Sequence, residues 1–315
     1  MEAVTIAVLS GLIRPLVEPR LPGWVEPRWF MSKDEALEVA PSAEIGWFDF
    51  AQHAPMNEVV TAATQLKWLN SIYAGLDFLP LDLLAERGTV VTNGAGINAI
   101  TIAEYAVMLM LTHAKGYREV VRAADRREWL LDSPGKRELF GERVLLLGLG
   151  AIGALVKPRL EAFGMEVVPV RRAPAEGALT PDAWRGQLGS FDWVVLAVPA
   201  TPDTHHMIGA AELAAMKSNC VLVNIARGEV IDQGALVEAL AAKRIEAALL
   251  DVTTPEPLPP EHPLWALENA HISMHLSGRA QTKMFQRSAD RFIANLARWH
   301  AGEPVEPRMD LALGY

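Results

Sequence analysis

The chain has 315 residues, half of them hydrophobic and 21% charged, and a formal net charge of -9 from 29 basic and 38 acidic residues. That length suits one large or two ordinary domains. The acidic balance argues against nucleic acid or an anionic membrane surface as a partner, while a few local arginines could still hold a small anionic substrate. One cysteine, Cys220, excludes an internal disulfide and speaks against a cysteine-based zinc site, so no metal is expected. Its apolar run, Cys220-Val221-Leu222-Val223, reads as a buried structural thiol rather than a nucleophile. The apolar stretch 4–9 is too short for a signal peptide and 144–156 too short to span a bilayer, so no membrane partner and a cytoplasmic location are expected.

In chain order, 4–9, 44–48, 69–73 and 90–92 read as short strands, and 57–64 and 81–86 as helices. This is a small α/β pattern with a parallel sheet covered on both faces. Trp24 and Trp29 have two readings, lining a substrate mouth or packing at the surface or a dimer contact. From Ile97 to about Ala123 the spacing predicts one long helix. The arginine-rich stretch 118–143 reads as a solvated connection. A second βα series follows, with strands at 144–147, 166–170, 192–197, 220–225, 246–250 and 271–273, helices at 151–163, 210–217 and 234–242, and a last helix near 280–300. His205 and His206 are adjacent, are expected to point apart, and show no metal-ligand spacing.

The strand run Val144-Leu145-Leu146-Leu147 leads directly into Gly148-Leu149-Gly150-Ala151-Ile152-Gly153 and then a helix. Gly148 permits the tight turn, Gly150 lets backbone approach a pyrophosphate, and Gly153 lets the helix pack on the strand, with amides of Ala151 and Ile152 at the helix start. A site built for NAD places an acid about 20 residues further on, to bind the ribose hydroxyls. Here Arg171 and Arg172 stand where that acid would be. A guanidinium pairs with a 2′-phosphate that an acid would repel, so NADP is expected, with NAD still possible.

Arg227, Glu256 and His275 each follow a predicted strand, and reactive groups collect at the carboxyl ends of parallel strands. An arginine can clamp a substrate carboxylate and polarise the adjacent keto oxygen. A histidine can give that oxygen a proton as hydride arrives, while a carboxylate on its other nitrogen fixes the tautomer. Singly, each has a plain structural reading. Together, beside a dinucleotide fold, they read as a catalytic trio.

The chain resembles the D-isomer-specific 2-hydroxyacid dehydrogenases, closest in character to short glyoxylate/hydroxypyruvate reductases. The resemblance extends over nearly the whole chain. It rests on Tyr73-Ala74-Gly75-Leu76-Asp77, on 93–104, on Gly148 to Gly153 with Phe163-Gly164-Met165, and on Asn224-Ile225-Ala226-Arg227-Gly228. It continues through Leu250-Asp251-Val252, Glu256-Pro257-Leu258-Pro259, Pro263-Leu264-Trp265 and the ending Gly314-Tyr315. The resemblance implies two doubly wound parallel-sheet α/β domains around a cleft. The flavodoxin-like substrate domain would be 1–96 completed by 281–315, and the Rossmann dinucleotide-binding domain 97–280. It implies that Arg227, Glu256 and His275 form the catalytic trio and that the amides of Ala74 and Gly75 hold the substrate carboxylate; with Arg171 and Arg172, the expected reaction is reduction of a small 2-oxo acid by NADPH. Asp251 and the carbonyl of Ile225 would hold the nicotinamide carboxamide, Pro199 and Thr204 would border the adenine, and a homodimer is usual.

The family's usual proline before the catalytic histidine is Met274 here, and Leu276 and Tyr73 add bulk near the site. These departures bear on the substrate more than on the reaction. Arg279 reads as a surface residue at a helix start, or as a reach toward a second anionic group. The alternatives are an NAD-dependent dehydrogenase of a larger 2-hydroxy acid, against which Arg171-Arg172 and the lack of a long C-terminal extension speak, and a nucleotide-binding corepressor-like scaffold.

Overall fold

In the structure, a computed structural model, residues 4–50, 54–76, 78–171, 177–279 and 282–312 are described. Asp77, Arg172 and the ending Gly314-Tyr315 lie outside the described residues. The chain divides into two compact units, residues 1–98 with 281–315, and residues 99–280.

The first unit is a parallel sheet of β1 (Thr5–Ser10), β2 (Val25–Phe30), β3 (Ile45–Trp47), β4 (Trp68–Asn70) and β5 (Val90–Thr92), in the order β2-β1-β3-β4-β5. Its helices are α1 (Arg14–Val17), α2 (Lys33–Val39), α3 (Ala54–Ala62), α4 (Leu81–Glu86) and the C-terminal helix Met284–His300. Side chains alternate across a strand, so β1 sends Val8 to one face and Ala7 and Leu9 to the other. Val8, Leu69 and Val91 meet Met56, Val59, Val60 and Leu84. Leu9, Trp47 and Trp68 meet Phe292 and Leu296 of the C-terminal helix. The Phe292 ring is fully buried against both tryptophans, and truncating it to alanine would cost about 3–5 kcal/mol.

Strand β2 has no counterpart among the strands predicted from the sequence. It holds Pro27 opposite Ala7, a residue that cannot donate to a ladder and is tolerated because β2 is the edge strand. Trp24 stacks on His300 at 4.6 Å, and Trp29 packs on the core beneath the Arg14 guanidinium. Both tryptophans therefore pack this unit together.

The second unit is a parallel sheet of β6 (Arg143–Leu147), β7 (Glu166–Val170), β8 (Trp193–Leu196), β9 (Val221–Asn224), β10 (Ala247–Leu250) and β11 (Ala270–Ile272). The order is β11-β10-β9-β8-β6-β7, flanked by α5 (Ala99–Ala114), α6 (Tyr117–Asp125), α7 (Gly153–Ala162), α8 (Ala210–Ala215) and α9 (Gln233–Ala241). Its strands are apolar runs buried on both faces, as parallel strands under helices require. Cys220 is buried beside β9, and burial pushes its thiol up to about 12.

One expectation fails here, and a second holds for most of its length but not all. The long helix from 97 to 123 is two helices, because Gly116 takes φ 60° between α5 and α6 and packs against the backbone of Pro134 and Gly135. The stretch 118–143 is not merely a solvated connection. Arg137 is largely buried over the Trp193 ring and pairs with Glu142 and Glu246. Arg118 donates to Nδ1 of His271 at 2.7 Å, and burial together with that guanidinium pushes His271 down to about 4. Among the described residues, no helix is long and apolar enough to cross a membrane.

Candidate active site

The order of the second sheet reverses between β6 and β8, the place where open α/β sheets bind ligands at strand carboxyl ends. There β6 ends and the chain turns through Gly148 at φ 104°. A Cβ on Gly148 would stand 2.5 Å from the Ala197 carbonyl oxygen, and one on Gly153 2.1 Å from the Gly148 oxygen. Packing therefore demands glycine at both. Gly150 differs, since nothing lies within 4 Å of where its Cβ would be. Among the described residues, the amides of Gly150, Ala151 and Ile152 meet no acceptor. An open backbone with unused donors at the start of α7 fits a pyrophosphate.

Around this loop, Arg171 follows β7 directly and is exposed, its amide donating to the Leu179 carbonyl. Thr204 is buried; its hydroxyl donates to the Pro199 carbonyl at 2.7 Å and accepts from the Thr201 amide. The turn so made borders a cavity of about 350 Å³ with Ala200, Pro202, His205 and Glu229. His205 and His206 do not point apart. His206 takes φ 49°, which turns the two rings into a stack with centroids 3.9 Å apart.

At the ends of β9, β10 and β11 the trio comes together. The His275 ring donates from Nδ1 to Glu256 at 2.7 Å, leaving Nε2 as the other nitrogen. The Thr253 amide donates to the second Glu256 oxygen at 3.0 Å. Burial works to raise the Glu256 carboxyl, but the bonds from His275 and Thr253 and the nearby Arg227 charge hold it below the ordinary glutamate range. Arg227 stands just before Gly228, and its Nη1 donates to the Ala226 carbonyl.

Asp251 is buried, and its carboxylate accepts from the Ser273 hydroxyl at 2.8 Å, the Leu276 and Ser277 amides, and the Ser277 hydroxyl. Its own carbonyl accepts from the His275 amide. Asp251 thus ties down the turn that presents His275. Sequence reasoning missed this, as it missed Ser273 and Ser277, because no local pattern marks which carboxylate a distant turn will fold onto. Met274 and His275 both adopt left-handed backbone, φ 56° and 55°. Arg279 is exposed in a turn ahead of the C-terminal helix rather than at its start.

In the first unit, the Ala74 carbonyl accepts from Asn93 at 2.7 Å and the Tyr73 carbonyl from the Gly94 amide at 2.7 Å. The amides of Ala74 and Gly75 have no acceptor among the described residues. The Tyr73 hydroxyl donates to the Phe50 carbonyl at 2.7 Å, which fixes the ring.

The family pattern described as D-isomer specific 2-hydroxyacid dehydrogenase, NAD binding domain, matches residues 107–277. The chain belongs to that family. It is 33% identical over 255 residues to a glyoxylate reductase of Korarchaeum cryptofilum, covering 78% of this chain and 76% of that one. It is 33% identical over 278 residues to a D-3-phosphoglycerate dehydrogenase of Methanocaldococcus jannaschii, covering 86% of this chain. This chain spans about half the length of that relative, 52%. Among solved structures, a D-isomer specific 2-hydroxyacid dehydrogenase family protein of Aeromonas salmonicida superimposes with a TM-score of 0.86 at 28% identity, covering 98% of this chain and all of the other. An NADPH-dependent glyoxylate/hydroxypyruvate reductase of Sinorhizobium meliloti, in complex with NADP and malonate, gives 0.77 at 27% identity, covering 99% and 98%. Against the 2-hydroxyacid dehydrogenase pattern, Met274 is a departure with a structural reason: proline is held near φ −65° and could not take its left-handed backbone.

Proposed function

We propose that this chain reduces a small 2-oxo acid of the glyoxylate or hydroxypyruvate kind to the 2-hydroxy acid, using NADPH. The His275–Glu256 pair carries the reading. When bound, NADPH supplies the hydride to the carbonyl carbon and leaves as NADP⁺. His275, its Nδ1 engaged by Glu256, gives the proton on Nε2 to the carbonyl oxygen. Arg227 holds the substrate carboxylate and polarises the keto oxygen. The amides of Ala74 and Gly75 bind the same carboxylate. The amides of Gly150, Ala151 and Ile152 take the pyrophosphate, Arg171 and Arg172 the 2′-phosphate, and Pro199 and Thr204 the adenine side. The Ile225 carbonyl and Asp251 take the carboxamide. The unit 1–98 with 281–315 acts as the substrate domain and 99–280 as the cofactor domain. We propose a cytoplasmic homodimer, in which a second copy covers the exposed side chains of Trp129, Leu131 and Phe140.

The test is the initial rate of NADPH and of NADH oxidation with glyoxylate and hydroxypyruvate, on the wild type and on Arg171→Ala/Arg172→Ala. Fast turnover with NADPH, and a KM for NADPH raised far more than that for NADH in the variant, are expected. Equal effects on both cofactors would remove the arginines from the reading. The likeness to phosphoglycerate dehydrogenase supports a second reading, a larger phosphorylated acid with NAD. Turnover confined to such acids with NADH would favour it.

A further inference from the structure

The first unit holds a buried carboxylate that no step above uses. Asp49 follows β3 and is buried, and among the described residues no cation is paired with it. Three donors converge on it. Trp47 Nε1 and the Ile72 amide each donate to Oδ2 at 2.6 Å, and the Ser71 hydroxyl donates to Oδ1 at 2.7 Å. Ser71 Oγ in turn accepts from the Tyr73 amide at 3.1 Å. Two consecutive amides, those of Ile72 and Tyr73, are thereby tied directly or through one hydroxyl to one carboxylate.

The next residues complete the pattern. The carbonyls of Tyr73 and Ala74 are held by the Gly94 amide and the Asn93 side chain. Gly94 is forced there, since a Cβ on it would stand 1.8 Å from the Ile72 carbonyl oxygen. Amides 72 and 73 and carbonyls 73 and 74 are all engaged, so the next amides, those of Ala74 and Gly75, are left over with their direction set. Ala74 is exposed and Gly75 half-buried, so these two adjacent donors are open to solvent or to a ligand oxyanion.

We infer that Asp49 and Ser71 are positioning residues that aim the Ala74 and Gly75 amides at the carboxylate of a 2-oxo acid. The inference rests on the proposed function for its substrate and deepens it by naming what holds the carboxylate loop. Burying an acid with three donors fixes geometry at a cost in stability, as expected of a group kept for position. Neither residue touches substrate. Their removal should loosen carboxylate binding and leave the proton donor and the dinucleotide loop unaffected.

Ser71→Ala removes the link to Tyr73 and the donor to Asp49 Oδ1, while Trp47 and Ile72 still hold Oδ2 and keep the carboxylate in place. Asp49→Asn is the second variant, since its amide can offer one oxygen to Trp47 and Ile72 but loses the second acceptor. The measurements are KM and kcat for glyoxylate with NADPH, the Kd of oxamate as an unreactive carboxylate, and the Kd of NADPH alone. In Ser71→Ala the expected result is a rise of about tenfold in both the glyoxylate KM and the oxamate Kd, the scale of one hydrogen bond to a charged group. kcat and the NADPH Kd should stay within about twofold, and Asp49→Asn should shift the same two quantities. Unchanged KM and oxamate Kd in both variants would overturn the inference, as would parallel losses in NADPH affinity or kcat. If instead the wild type binds oxamate but turns over no 2-oxo acid, the proposed function fails. The inference then stands or falls on whether Ser71→Ala weakens oxamate binding.

Discussion

Gly228 lies against the carbonyl of Thr253, so closely that a Cβ on Gly228 would stand 2.1 Å from that oxygen. The contact brings the end of β9, which carries Arg227, against the loop after β10, which carries Glu256. Gly228→Ala should force these loops apart. A displacement near 1 Å costs activity up to about 100-fold, and overpacking costs roughly 1–3 kcal/mol of stability. Thermal melting and kcat/KM read both, and a variant with wild-type kcat/KM would mean that the approach does not set the Arg227–Glu256 relation.

His275→Ala should lower kcat by about 10² to 10⁴, the usual scale for one acid–base group, with NADPH affinity unchanged. Glu256→Gln should act in the same direction but by less, about 10- to 100-fold, because it keeps a hydrogen bond and loses the charge. Since the Glu256 carboxyl is held low, the acid limb it imposes on wild-type activity should fall below the free glutamate value of about 4.3. A near-normal rate in His275→Ala would take the residue out of the mechanism.

Met274→Pro restores the residue usual in the family, yet it should impair this enzyme. Proline cannot reach φ 56°, so the turn tied to Asp251 must rearrange and carry His275 with it. A loss of at least about tenfold in kcat is expected, at the low end of what misplacing a catalytic group costs. Unchanged kinetics would show that the left-handed turn is not needed for turnover.

Asp49 makes stability depend on pH. Burial raises its carboxyl from 3.8 to about 6, against the bonds from Ser71, Ile72 and Trp47. The folded chain therefore holds the proton more tightly than the unfolded one. This contribution is fully present below about 4 and is lost as pH rises through about 6, a change of roughly 3 kcal/mol in the direction of lower stability at neutral pH. Denaturant melts of the wild type and Asp49→Asn from pH 4 to 8 measure it. The difference between them should change across that window, and a constant difference would mean that Asp49 keeps an ordinary carboxyl.

Much of the second unit was legible because its signals are local. Six apolar runs became six strands, and the glycines at 148, 150 and 153 sit in a strand, turn and helix that any window of that stretch reveals. Arg227, Glu256 and His275 could be placed at strand ends for the same reason. Strand β2 was hidden because an edge strand need bury only part of its surface and can hold a proline, which blurs the alternation that marks a strand. Gly116 was visible in the sequence, but the same residue can sit inside a helix or end one. Only its packing against Pro134 and Gly135 decides for the break.

Strand periodicity and the glycine spacing thus determined the α/β class and the strand–turn–helix at 148–153, and strand ends singled out Arg227, Glu256 and His275 as candidates, since each depends on residues near in sequence. Tertiary structure alone decided which groups meet: His275 with Glu256, Gly228 with Thr253, Asp251 with Ser273 and Ser277, and Asp49 with Ser71 and Ile72. Those partners lie on different strands or loops of a parallel sheet, whose crossovers separate neighbours in space by whole helices in sequence. A buried carboxylate gains its role only from the donors that the fold brings around it.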